Sequence, residues 1–166
     1  IIFDPNVLAI CTGVPEHMAY AKDLLRTISE LRQRFPESHI IGGLSNLSFA
    51  FRGCEPMRRA LHSVFLHHAR QRGLDMVILS PAALTDYEAI PQDLRTLLED
   101  AVVNGTDVTQ ELMERSQQMR VQTHAPVVKR EEQREVAPEE RLQNAVLRGG
   151  SATLESDVAT LLETTP

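Results

Sequence analysis

Three short apolar runs, each followed by a helical pattern, constrain the fold of this chain more than any other feature. The runs are residues 1–3, 39–44 and 75–79. They recur roughly every 35–40 residues, a spacing expected for βα units with parallel strands. The runs are apolar throughout rather than alternating, which fits a sheet covered on both faces. The sequence therefore predicts three βα units.

The segments after these runs carry apolar residues at the spacing of one helix face. Four helices are predicted, at residues 16–34, 56–72, 91–104 and 107–122. Pro91 opens the third, and Gly73 and Gly105 are expected to end the second and third. The predicted core-facing residues are Ala21, Leu24, Leu25, Ile28, Leu31, Met57, Ala60, Leu61, Val64, Phe65, Ala69, Leu94, Leu97, Leu98, Ala101, Val102, Val108, Leu112 and Met119.

The chain changes character after residue 122. Residues 123–137 are charged, flanked by prolines and without an apolar face, and are predicted to be a linker. Residues 138–166 are expected to form two short helices separated by a pair of glycines. Their apolar residues are too few for an independent core, so we interpret this segment as the beginning of a helical domain.

Residues 1–122 are predicted to be the last three βα units of a partial (β/α)8 TIM barrel, because three parallel strands make a poor closed fold by themselves. An open flavodoxin-like sheet is the alternative, although it normally has five strands. The chain opens on the apolar residues Ile1–Phe3. An unprotected apolar strand is a rare start for a protein, so we expect further sequence upstream.

The charge and composition exclude several classes of function. The net charge is −6, from 23 acidic and 17 basic residues, which argues against nucleic acid as a partner because phosphate binding requires a basic surface. No apolar run approaches the roughly 18–20 residues that span a bilayer. We therefore expect a soluble protein.

The candidate site residues follow the three runs, where βα barrels carry their functional groups. Asp4 follows the first run, Ser45 and Asn46 follow the second, and Ser80 follows the third. Paired glycines just before Ser45 would allow a flat ligand to approach closely. Arg52 could hold a carboxylate or pair with a nearby acid. The simpler alternatives are a turn-forming Asp4 and an Asn46 that satisfies backbone groups.

Histidines and cysteines form no pattern typical of a metal site. His62, His67 and His68 lack the i,i+4 spacing of a helical zinc motif, and are predicted to lie on the helix surface or at an interface. Cys11 and Cys54 have no CxxC partner. They could form a disulfide, but free thiols are the prediction, which makes the cytoplasm the expected location.

Five segments together carry a resemblance to one family. They are IIFDPNVLAICTG, IIGGLSNLSFAFRG, MRRALHSVFLHHARQRGLDM, PQDLRTLLEDAVVNG and EERLQNAVLRGG. The first four resemble the last portion of the pterin-binding barrel of cobalamin-dependent methionine synthases. The fifth resembles the first helix of the cap that precedes the family's cobalamin-binding domain. The resemblance thus runs along nearly the whole chain.

This resemblance implies a chemistry and a set of partners. The three runs would be the sixth, seventh and eighth barrel strands, and 5-methyltetrahydrofolate would be the substrate. Asp4 would bind the pterin ring, and Asn46 would lie next to N5, which carries the methyl group. Cobalamin in another domain would accept the methyl group on its way to homocysteine. The remaining half of the barrel would be a further partner, and the family's zinc would lie in a different domain.

Two positions depart from the family pattern, which usually has asparagine at Ser80 and often a polar residue at Met18. The alternatives are another pterin-binding corrinoid methyltransferase, a dihydropteroate synthase relative, or a non-catalytic structural or interaction module. The cap-like segment argues against the first two. The chain by itself is expected to be inactive, since the other pterin contacts and the cobalamin-binding domain would lie outside it.

Overall fold

A computed structural model describes residues 1–123, 139, 142–143 and 154–164 of the 166-residue chain. The chain divides into two compact units, Ile1–Ala125 and Pro126–Pro166. Among the described helices, none is long and apolar enough to cross a membrane.

The first unit is built around a three-stranded parallel sheet. Its strands are β1 (Ile2–Phe3), β2 (His39–Gly43) and β3 (Met76–Ile78), in the order β1-β2-β3. Every pairing is parallel. The three predicted strands are confirmed, each one or two residues shorter than its apolar run. The first unit is therefore an α/β structure with a small parallel sheet.

Four α-helices accompany the sheet. They are α1 (Tyr20–Arg34), α2 (Glu55–Gln71), α3 (Gln92–Glu99) and α4 (Thr109–Thr123). A 3-10 turn, Pro15–Ala19, precedes α1, and a π-helical turn, Asp100–Asn104, continues α3. The four predicted helices are confirmed, and all of their predicted core residues are buried or packed against the core.

The helices cover one face of the sheet within residues 1–123. Phe3 pairs with Ile40, which is fully buried. On the opposite face, Ile2 and Ile78 are 60% and 62% exposed. The prediction of a sheet covered on both faces is therefore wrong for this unit. Right-handed crossovers place successive helices on the same side of a parallel sheet.

A cluster of hydrogen bonds fixes the amino-terminal ends of β2 and β3. Arg32, in α1, donates to the carbonyls of Ser38 and Gly73, each at 2.7 Å, and to the Asp75 carboxylate at 2.6 Å. The same carboxylate accepts the Ile40 amide at 2.8 Å. These contacts, the Arg32–Asp75 clamp, join one helix to two strands.

In the second unit, Leu154–Thr164 forms α5. Glu139, Leu142 and Gln143 are helical, in the region where a short helix was predicted. The linker was predicted at residues 123–137, but residue 123 is the last residue of α4. The rest of the predicted linker lies outside the described residues, as does most of that first short helix.

Candidate functional site

The candidate residues predicted after the three strands lie at one edge of the sheet. Asp4 directly follows β1, Ser45 and Asn46 lie in the 3-10 turn after β2, and Ser80 is two residues beyond β3. The carboxyl ends of neighbouring parallel strands share an edge, where α/β sheets bind ligands. All four side chains are exposed. The edge thus presents one carboxylate, one amide and two hydroxyls to solvent.

Two buried leucines hold the turn after β2 in place. Leu44 and Leu47 are both 0% exposed, and the Leu47 amide donates to the Leu44 carbonyl at 3.1 Å. The Leu47 carbonyl accepts the Ile10 amide at 3.3 Å, which ties this turn to the loop after β1. Ser45 and Asn46 lie between the two anchors and therefore point outward from a fixed backbone.

The two glycines that end β2 have different surroundings. A Cβ at Gly42 would lie 3.6 Å from Val7 on the helix-covered side. A Cβ at Gly43 would meet nothing within 4 Å. Gly43 pairs with Ile78 and so shares its exposed face. The predicted close approach of a flat ligand is therefore sterically open at Gly43, next to Ser45 and Asn46.

Arg52 lies farther along the loop after β2. Its guanidinium carbon is 4.2 Å from the centroid of the Phe49 ring, a cation–π contact between two exposed side chains. The Arg52 carbonyl accepts a hydrogen bond from Arg120 at 2.7 Å. The sequence suggested that Arg52 holds a carboxylate or pairs with a nearby acid, and its contact with Phe49 was not predicted.

His62 is buried, which corrects the prediction of a surface or interface histidine. It is 1% exposed, with Nδ1 3.1 Å from the Ala83 carbonyl and Nε2 2.8 Å from Ser48 Oγ. Burial lowers the pKa of His62 below its ordinary value. Its spacing to the predicted core residues Phe65 and Ala69 is i, i+3, i+7. That spacing was the signal for burial.

The loop after β3 is held by α2 and α3. Ser63 Oγ donates to the Thr85 carbonyl at 2.7 Å and accepts the Thr85 amide at 3.0 Å. Farther along, the Tyr87 hydroxyl donates to Glu99, which is also 3.2 Å from His68 Nε2. The hydrogen bond to Glu99 raises the pKa of Tyr87 to about 12. These side chains fix the loop that follows Ser80.

The two cysteines are free, as predicted, and both are buried. Cys11, in the loop after β1, has a positive φ of 55°. Burial raises the pKa of its thiol to about 11. Cys54 Sγ lies 3.5 Å from the Ser116 carbonyl of α4 and donates to it. Within the described part of the chain, no group of three or more His, Cys, Asp or Glu side chains could hold a metal ion.

A comparison with protein families matches residues 1–80 to the pterin binding enzymes. These residues are similar to a pterin-binding enzyme domain. The matched segment contains all three strands, α1 and α2. It also contains every candidate residue that was predicted from the sequence. The exposed carboxyl-terminal edge of the sheet thus lies within the matched segment, and a pterin or folate is the class of ligand that the matching family indicates.

Proposed function

We propose that this chain binds 5-methyltetrahydrofolate at the carboxyl-terminal edge of its sheet and serves methyl transfer in a cobalamin-dependent methionine synthase. The observation that carries the proposal is that Asp4, Asn46 and Ser80 follow neighbouring parallel strands, at the edge where Gly43 leaves open space. The family match of residues 1–80 supports the pterin as ligand. The methyltransferase assignment rests on the sequence segments that resemble that family.

Asp4 binds the pterin ring in this proposal. A carboxylate can accept two parallel hydrogen bonds from an amino group and a neighbouring ring N–H, which fixes the orientation of the ring. Asp4 is exposed at the end of β1, so its side chain is accessible to a ligand. The residue next to it is Pro5, whose ring fixes φ and stiffens the start of the loop.

Asn46 lies next to N5 of the bound folate in this proposal. A tertiary amine is a poor leaving group until it is protonated, so the site must favour protonated N5 as the methyl group departs. The side-chain oxygen of Asn46 accepts a hydrogen bond from N5–H. Ser45 and Ser80 contribute hydroxyl groups to the same edge, and the Arg52 guanidinium binds a substrate carboxylate.

Cobalamin, when bound by its own domain, would supply the cobalt nucleophile that accepts the methyl group. This chain's part is to bind and orient the folate.

The proposed partners are the rest of a TIM barrel and the cobalamin-binding domain, and zinc belongs to the homocysteine site elsewhere. The proposed boundaries are residues 1–122 for the barrel portion, 123–137 for a linker and 138–166 for the start of the cap. The two free thiols agree with a cytoplasmic location.

Titration calorimetry with 5-methyltetrahydrofolate tests the proposal. Asp4→Asn removes the charge but keeps the shape, and should weaken binding by about 10- to 100-fold through loss of charge-assisted hydrogen bonds. Asn46→Ala should weaken binding in the same direction. Asp23→Asn is the matched control, since Asp23 is exposed on α1 and pairs only with Arg26, at 3.7 Å. It should leave the affinity unchanged.

Two outcomes would oppose the proposal. A folded chain that binds no folate would favour the non-catalytic alternative for this polypeptide. Equal losses in Asp4→Asn and Asp23→Asn would show that binding depends on overall charge rather than on the sheet edge. Methyl transfer from the bound folate to cob(I)alamin, assayed with the partner domains present, would distinguish a methyltransferase from a dihydropteroate synthase relative.

A further inference from the structure

The amino-terminal half of α2 contacts both of the loops that carry candidate residues after β2 and β3. His62 makes this connection with the two nitrogens of one ring. Nε2 lies 2.8 Å from Ser48 Oγ, and Ser48 is two residues beyond Asn46. Nδ1 lies 3.1 Å from the carbonyl of Ala83, which is three residues beyond Ser80. A single buried side chain therefore joins the two loops.

The partners of His62 define its tautomer. The Ala83 carbonyl can only accept, so Nδ1 carries the proton and donates it. Nε2 then accepts from the Ser48 hydroxyl. Arg58 Nε donates to the same hydroxyl oxygen at 3.0 Å, which orients its proton toward His62. Burial and the nearby Arg58 charge both lower the pKa of His62, which favours the neutral ring that this pattern requires.

The environment makes these bonds strong constraints. Ser48 is 0% exposed and His62 is 1% exposed. Breaking either bond would leave a buried polar atom without a partner, which is costly in a low-dielectric interior. The Ser45 carbonyl, 3.4 Å from Ser48 Oγ, is a weaker alternative acceptor for the same hydroxyl proton. Ser48 is connected to Asn46 through the two-residue backbone between them. The position of Asn46 is therefore coupled to the His62 ring.

We propose that His62 is a positioning residue of the pterin site, which fixes the loop bearing Asn46 relative to the loop bearing Ser80. This inference rests on the proposed function, since it assigns His62 a role in folate binding. His62 itself is buried behind the loops and does not touch the ligand. Its effect passes through Ser48 on one side and Ala83 on the other.

Three substitutions test this role by amide hydrogen exchange and by titration with 5-methyltetrahydrofolate. His62→Leu removes both hydrogen bonds, and should speed exchange in residues 44–48 and 80–85 and weaken folate binding by about 5- to 30-fold. His62→Gln keeps one donor and one acceptor, so amide exchange in the two loops and folate affinity should both stay close to those of the unaltered chain. Ser63→Ala is the matched control, because Ser63 bonds only to Thr85 and should affect only residues 80–85.

Ser48→Ala is a milder second variant in case His62→Leu fails to fold, and should speed exchange in residues 44–48. Unchanged exchange in both loops in the folded His62 or Ser48 variants would overturn the inference. Equal damage from His62→Gln and His62→Leu would also overturn it, since packing alone would then explain the effect. If the unaltered chain binds no folate, the proposed function fails, and exchange in the two loops still decides whether His62 links them.

Discussion

Two neighbouring glycines at the end of β2 face opposite sides of the sheet and differ in what surrounds them. Gly42 faces the helix-covered side, where a Cβ would be in ordinary contact with Val7. Gly43 faces the open side, and its φ of −87° and ψ of 91° are accessible to any L-residue. Gly43 is therefore not required by its own backbone conformation. A ligand over the open face is the reason we propose for a glycine at this position.

Gly43→Val should weaken 5-methyltetrahydrofolate binding by at least about tenfold, because its side chain would occupy the space of the ring. The melting temperature should stay within a few degrees of the original, since nothing lies within 4 Å of the added Cβ. Gly42→Ala is the matched control and should leave affinity unchanged. Calorimetry and thermal denaturation of both variants provide the measurements. Equal affinity in Gly43→Val and the unaltered chain would place the ring elsewhere.

At the scale of elements, the helices follow from the sequence and the contacts between them do not. Spacing alone predicts the buried face of α2, and Gly73, with a φ of +105°, ends that helix as its residue type indicates. The Arg32–Asp75 clamp joins residues 43 positions apart. No local pattern encodes it. The burial of His62 had a local signal in its spacing, but its partners Ser48 and Ala83 come from two separate loops.

The clamp should make stability depend on pH through Asp75. The Ile40 amide, and then the Arg32 guanidinium, lower the pKa of Asp75. A carboxyl with a lowered folded-state pKa stabilises the fold above its unfolded-state pKa of about 4, and that contribution is lost as the pH falls further. Asp75→Asn should therefore cost about 1–2 kcal/mol at pH 7, a value discounted for partial exposure. It should also flatten the fall in stability below about pH 4.

Urea denaturation at several pH values measures both effects. Asp23→Asn is again a suitable control, because its side chain is 52% exposed and its ion pair with Arg26 lies on the surface. That variant should change the free energy of unfolding by less than about 0.5 kcal/mol. A pH dependence that is identical in Asp75→Asn and the unaltered chain would remove Asp75 from the account of acid unfolding.

For the molecule as a whole, the carboxyl-terminal edge with the candidate residues and the face not covered by helices belong to the same sheet. Ile2 and Ile78 are exposed there, and in the proposed barrel their side chains would point toward the interior. The three parallel strands and the order of their loops could be predicted from the sequence. The burial of only one face could not, because an apolar strand has the same residue pattern whether one face or two are covered.

The rate at which the two buried thiols react with a reagent reports how often the structure around them opens. Cys11 lies in the loop after β1, and Cys54 is joined to α4 through the Ser116 carbonyl. A pKa of about 11 instead of 9.0 leaves Cys11 about 100-fold less thiolate at neutral pH, so a thiol reagent should modify it at least that much more slowly than the urea-unfolded chain. Labelling with a chromogenic thiol reagent is followed by absorbance. The variants Cys11→Ser and Cys54→Ser show which kinetic phase belongs to which cysteine. Labelling of Cys11 at the rate of the unfolded chain would mean that its loop opens freely. Slower labelling in the presence of folate would mean that the bound ligand reduces the opening of that loop.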